Sequence, residues 1–114
     1  MLKKLDMAIV KRDVFNCLGV GKGNAISRED IRLRTHYNDR TIREAIEQLR
    51  KLHAILSLTN GRGYYIASED AEGLKEATEW VIGQNRRARS IRASCRGAQC
   101  FIGKLQQMRW GDDI

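Results

Sequence analysis

Proline is absent from the whole chain. Helices can therefore run without forced kinks, and stiff proline-rich linkers are excluded. No apolar run approaches the roughly 20 residues that a membrane span needs. The opening segment MLKKLDMAIVKRDVF is too charged for a secretory signal core. The expectation is a cytoplasmic protein without a membrane partner. Internal repeats and low-complexity tracts are also lacking. The hallmarks of catalysis are missing too: there is no phosphate loop, no nucleophile elbow, no Ser/His/Asp order and no metal-binding carboxylate cluster. The glycines of GVGKGN, residues 19–24, lack the spacing of a nucleotide loop. The sequence thus predicts neither an enzyme nor a cofactor-bound protein.

The three cysteines are an odd number, which suits free thiols in a reducing compartment. Cys95 and Cys100 are separated by four residues, not the two of a zinc knuckle, and Cys17, His36 and His53 are scattered. The cysteines are therefore expected to be small buried apolar side chains, with no metal site.

What is present is positive charge, in blocks. The net charge is +7 over 114 residues. Residues 1–66 carry 13 Lys/Arg against seven Asp/Glu, for +6. Residues 67–82 carry Lys75 against Glu69, Asp70, Glu72, Glu76 and Glu79, for −4. Residues 83–109 carry seven basic residues and no acid. A small chain with this balance favours a polyanionic partner. Its length suffices for one compact domain plus an appendage, with no room for a domain that senses a small-molecule effector.

The apolar spacing predicts a first helix over 3–18, with Leu5, Ile9, Val10, Val14, Phe15 and Leu18 inward. GVGKGNA, residues 19–25, reads as a loop. Ser27 opens a short second helix as its cap, with Ile31 and Leu33 inward and an end near Thr35. His36, Tyr37 and Asn38 form a turn, and Asn38 caps the next helix. In that helix Ile42, Ala45, Ile46, Leu49 and Leu52 make a buried stripe. Arg40, Thr41, Arg43, Glu44, Glu47, Arg50 and Lys51 make the exposed face. Ile55–Leu58 and Tyr64–Ile66 read as a β-hairpin. Asn60-Gly61 suits a two-residue turn, but alternation favours a 59–63 tip, with Leu56 and Leu58 facing the core beside Tyr64 and Ile66.

From Ser68 onward the period is helical again, and Ser68 itself reads as the helix start. Leu74, Ala77, Val81, Gln84, Ala88, Ile91, Cys95, Ala98, Ile102 and Leu105 trace a thin heptad-like seam. Gly73, Gly83, Gly97 and Gly103 weaken a single continuous helix. Two readings stay open. One is a long helix pairing with a second subunit. The other, slightly favoured, is two helices, 69–89 and 91–108, folded back on the preceding domain or on each other within a dimer. Trp80 and Trp110 read as packing anchors.

The stretch YNDRTIREAIEQLRKLHAIL followed by NGRGYYI, within 37–66, resembles the winged helix-turn-helix domains of biotin-repressor-type regulators. There a capped recognition helix of the form R-T-I/V-R-x-x-I-x-x-L-R precedes a G-x-G-Y wing. More loosely, the chain is similar to small winged-helix proteins of phages and prophages in Gram-positive bacteria. The turn departs from the pattern, since His36-Tyr37 stand where Gly and a small apolar residue are common. The resemblance implies a mainly α fold with a small β-hairpin: a winged helix-turn-helix domain over 1–67, a C-terminal helical extension over 68–109 and a tail over 110–114. It also implies a small transcriptional regulator that binds double-stranded DNA with sequence preference.

On that reading Asp39, Arg40, Thr41, Arg43 and Glu44 read bases in the major groove. Arg62 between Gly61 and Gly63 contacts backbone or minor groove at the wing, and Ser27 and Arg28 position a phosphate. A homodimer would form through 69–108. Arg86, Arg87, Arg89, Arg92 and Arg96 make either a nucleic-acid contact or a solvated face paired with the acids of 69–79. The competing classes are a winged-helix protein-interaction module, as in replication or phage assembly machinery, and RNA binding through the arginine-rich helix.

Overall fold

The computed structural model describes residues 6–112. It is mainly helical, with one two-stranded antiparallel hairpin. In chain order come helix α1 (Met7–Cys17), a 3₁₀ turn (Lys22–Asn24), α2 (Arg28–Thr35), α3 (Asp39–Arg50), strands β1 (Ile55–Ser57) and β2 (Tyr64–Ile66), then α4 (Ala71–Ser94) and α5 (Arg96–Asp112). Leu5 of the expected first helix lies outside the described residues, as does Asp113 of the expected tail. The chain divides into two compact units, Met1–Trp80 and Val81–Ile114.

Each early helix starts where a short polar side chain can accept from its free N–H groups. Asp6 accepts from the Ala8 N–H at 3.0 Å, Ser27 from Asp30 at 3.1 Å and Asn38 from Thr41 at 2.8 Å. α2 stops at His36, whose φ of 64° is left-handed, a conformation that usually calls for glycine. Neighbouring side chains secure it. Thr35 Oγ1 donates to the Ile31 carbonyl at 2.8 Å, and the Tyr37 hydroxyl donates to Asp13 of α1 at 2.7 Å. These bonds fix the turn between α2 and α3 with His36-Tyr37 in place of a glycine pair.

The core of the first unit lies among α1, α2, α3 and the hairpin. Val10, Val14, Ile31, Ile42, Ala45, Ile46, Leu49 and Ile55 are all buried. Each large side chain buried there contributes about 1.5–3 kcal/mol relative to exposure. The stripe of α3 is as expected through Leu49. Leu52 is a correction: the helix ends at Arg50, so Leu52 leaves the stripe and is 79% exposed. Ile9 and Leu33, also expected inward, lie exposed on the outer sides of α1 and α2.

The hairpin register differs from expectation by one residue. Ile55 pairs with Ile66, Leu56 with Tyr65 and Ser57 with Tyr64. Ile55, Tyr64 and Ile66 therefore share the core face, and Leu56 and Tyr65 the other. Both faces are covered: Leu56 and Tyr65 are 3% exposed each. With apolar residues buried on both sides, alternation cannot choose between registers. The 19–25 segment, expected as a plain loop, also joins the sheet. It runs along the free edge of β2, where Gly21 N–H donates to Ile66 O at 2.8 Å and Ile66 N–H to Gly19 O at 2.8 Å. Ile26 and Tyr64 exchange two further backbone bonds at 3.0 and 2.9 Å.

The start of α4 belongs to this first unit. Tyr65 donates its hydroxyl to Glu76 at 3.2 Å. Asp70, not Ser68, caps the helix: its carboxylate accepts from Gly73 N–H at 2.8 Å and from the Ser68 hydroxyl at 2.7 Å. These donors hold the Asp70 carboxyl below its usual range, Gly73 N–H first. A Cβ on Gly73 would sit 1.7 Å from the Ser68 carbonyl oxygen. Gly73 is thus the point where chain and helix touch, not a weak spot in a helix.

In the second unit, the later turns of α4 and then α5 run with one interruption, at Cys95. The break lies five residues beyond the one expected near residue 90, and residues 110–112, expected as tail, continue α5. The two helices do not fold back on each other. From 85 to 108 every side chain is exposed except half-buried Ala93. Val81, Ile82, Ile91, Phe101, Ile102, Leu105 and Met108 remain 45–64% exposed. Cys95 and Cys100, expected as buried apolar groups, are exposed, while Cys17 is half-buried.

Candidate nucleic-acid interface

The N-terminal turns of α3 form one wall of the candidate surface. Asn38 fixes where the helix begins, and the next residues divide between core and solvent. Asp39, Arg40, Arg43 and Glu44 are exposed. Thr41 is a correction. It stands next to Ile42 on the inward side, is 8% exposed, and its N–H is taken by Asn38. Its methyl and hydroxyl face protein, so the exposed set narrows to the four charged residues.

Those four fall into two separate ion-paired groups, one centred on Asp39 and one between Arg40 and Glu44. Asp39 holds Arg28 Nε at 3.0 Å with one oxygen and Arg43 Nε at 3.4 Å with the other. Arg40 Nε lies 3.3 Å from Glu44. Every partner is 39–84% exposed, so each pair is worth at most about 1 kcal/mol. Bonds this weak orient the guanidinium groups yet can be exchanged for a phosphate or a guanine edge.

Arg28 links this wall to the hairpin. It opens α2 beside the capping Ser27, and its guanidinium donates to the Tyr64 hydroxyl of β2 at 3.4 Å. Ser27 itself accepts from the N–H of Asp30, so its oxygen already serves α2. The hairpin tip then carries Arg62 into solvent. Its backbone N–H donates to the Asn60 side chain at 3.0 Å, and Gly61 donates to Leu58 O at 2.7 Å. Gly61 has φ 71° with open space around it, which fits a tight turn. Gly63 has another reason to be glycine. It is buried, and a Cβ there would lie 2.9 Å from Leu58 and 3.2 Å from Ala25. Its lack of side chain serves packing beneath the tip, not approach of a ligand.

Arg50 was expected on the exposed face, and the structure gives it a different role. Its guanidinium donates to the Ile55 carbonyl at 3.1 Å and to the Ser57 hydroxyl, and lies over the rings of Tyr64, at 5.4 Å, and Trp80, at 5.0 Å. Burial lowers its pKa, as expected for a cation held among rings and carbonyls. Arg50 therefore ties α3, both strands and α4 together, with Trp80 as the anchor expected of it. Asp13 was missed as well: the Tyr37 hydroxyl bond, then Arg12, keeps its carboxyl below the usual range, and the same bond raises Tyr37. No local pattern announces either link, because their partners are five to 30 positions away. The side chain of Trp110 lies outside the described residues.

Arg86, Arg87, Arg89, Arg92 and Arg96 are all exposed on α4 and α5. They share a stretch without acids, and their charge is not neutralised within it. Among the described residues, no three His, Cys, Asp or Glu side chains gather in a metal-binding arrangement. Among the described residues, no helix is long and apolar enough to cross a membrane. In comparisons with known proteins, no family model, no curated protein and no solved structure matches this chain.

Proposed function

We propose that the chain is a winged helix-turn-helix protein that binds double-stranded DNA with sequence preference, as a small phage- or prophage-type transcriptional regulator in the cytoplasm. One observation carries the reading. A capped helix exposing Arg40 and Arg43 is joined through Arg28 to a hairpin whose tip exposes Arg62, all within one unit. The +6 charge of residues 1–66 supplies the long-range attraction to phosphates.

On this reading α3 enters the major groove by its N-terminal turns. Arg43 and Arg40 pair with guanine edges, and Glu44 accepts from cytosine. Asp39 holds Arg43 and Arg28 extended until DNA replaces it. Arg28 then takes a backbone phosphate, and Arg62 clamps the flanking backbone or minor groove. Thr41, being buried, has no base contact in this scheme.

The two arginine roles separate experimentally. On a duplex selected from a random pool, Arg43→Ala should cost about 1–3 kcal/mol of specific affinity while leaving random duplex little affected. Arg62→Ala should weaken both duplexes alike and reduce the slope of log affinity against log salt by about one. Equal losses on both duplexes for Arg43→Ala would remove it from base reading, and an unchanged slope for Arg62→Ala would remove the phosphate contact.

A further inference from the structure

Beside the start of α4 lies an open groove of about 610 Å³, floored by Leu52, Ala54, Ile66, Ala67, Leu74 and Ala77. Two of these, Leu52 and Leu74, are 79% and 70% exposed. Glu69 and Asp70, from the −4 stretch 67–82, also line it. Two large apolar side chains thus stand exposed together at one groove. Further along α4, Ile91 is 64% exposed and flanked by Arg87, Arg89 and Arg92. The early and late parts of α4 thus carry complementary features: an apolar groove with two acids in its lining, and an apolar side chain among arginines.

We propose that α4 pairs with α4 of a second copy in antiparallel orientation, with Ile91 of each chain seated at the Leu74 groove of the other. Leu74, Ala77, Val81, Gln84, Ala88 and Ile91 recur at steps of three and four, so they lie along one side of this helix. Antiparallel pairing centred between Ile82 and Gly83 sets Leu74 against Ile91, Ala77 against Ala88 and Val81 against Gln84. The two alanines permit close approach of the backbones. The same centre brings residues 69–79, with their five acids, across from 86–96, with their five arginines. Parallel pairing would place arginine against arginine and acid against acid over the same length, well inside the screening distance of about 8–10 Å. Charge therefore selects both the partner and the orientation. The pairing needs no DNA and stands apart from the role of α3.

Cysteine cross-linking tests it in a Cys95→Ser, Cys100→Ser background that keeps the half-buried Cys17. A disulfide needs Cα atoms within about 7 Å, whereas positions 74 and 91 of one helix are about 25 Å apart. An equimolar mixture of Leu74→Cys and Ile91→Cys chains should yield disulfide-linked dimer under mild oxidation, and neither chain alone should. The parent protein should sediment at about twice its 13.0 kDa mass, losing mass towards monomer as salt rises. Ile91→Asp, on an exposed position, should sediment as monomer with an unchanged far-ultraviolet spectrum. Self-linking of Leu74→Cys alone would overturn the antiparallel orientation. A monomeric parent at tens of micromolar in low salt would overturn the pairing itself, whatever the DNA measurements give.

Discussion

Gly73 and Gly83 sit ten residues apart in α4, and the same substitution at each should have opposite effects. In a helix, alanine is favoured over glycine by about 1 kcal/mol, because glycine loses more backbone freedom. At Gly83 nothing lies within 4 Å of the added Cβ, so Gly83→Ala should gain most of that. At Gly73 the added carbon would stand 1.7 Å from the carbonyl oxygen of Ser68 and 2.7 Å from its carbon. Both are backbone atoms, so no rotamer change relieves the clash. Reaching an ordinary contact requires the start of α4 or the 67–70 connection to move by more than an ångström. That movement disturbs the Gly73 N–H bond to Asp70, the cover over Tyr65 and the stacking of Arg50 on Trp80. Set against the propensity gain, the net loss should be about 2–3 kcal/mol, at the upper end of common single-residue effects. Urea unfolding followed by far-ultraviolet circular dichroism measures both. With a slope of about 1–2 kcal/mol/M, the midpoint should fall by at least ~1 M for Gly73→Ala and rise by about half that or more for Gly83→Ala. Midpoints that move together, in either direction, would refute the close approach at Gly73.

Two further outcomes follow from the helix starts. Asn38→Ala removes the acceptor for the Thr41 N–H and should cost about 1 kcal/mol, read as a lower urea midpoint; an unchanged midpoint would mean that α3 does not depend on its cap. The Gly73 N–H, then the Ser68 hydroxyl, hold the Asp70 carboxyl below its ordinary range, so its carboxylate stabilises the fold at neutral pH, and that contribution fades as pH falls through the lowered value. Asp70→Asn should therefore be less stable than the parent at pH 7 and converge with it on acidification; a gap that widens towards low pH would contradict the sign.

α3 was legible because two independent signals coincide. The cap at Asn38 and the apolar period through Leu49 name the same helix, and a buried stripe on an otherwise charged helix has one way to face. Ser27 and the His36–Asn38 turn were legible for similar local reasons. The hairpin was legible as a hairpin and not in its register, since Leu56 and Tyr65 are buried on the face opposite Ile55 and Tyr64. Thr41 was misread because the inward arc of α3 is wider than its apolar stripe, and a small polar side chain fits at its margin. Gly73 looked like Gly83 in sequence, and only the course of Ser68 separates them. Arg50 could not be told from the solvated Lys51 beside it, because Ser57, Tyr64 and Trp80 reach it only through the tertiary fold.

The proposed role requires that the first unit bind double-stranded DNA by sequence. Its most direct measurement is the affinity of the intact chain, at one fixed salt concentration, for its best duplex from a random pool and for random duplex. Measurable binding to both is expected, with the selected duplex bound at least ~10³-fold more tightly. Equal affinity for the two, or no binding to either at low ionic strength, would contradict it.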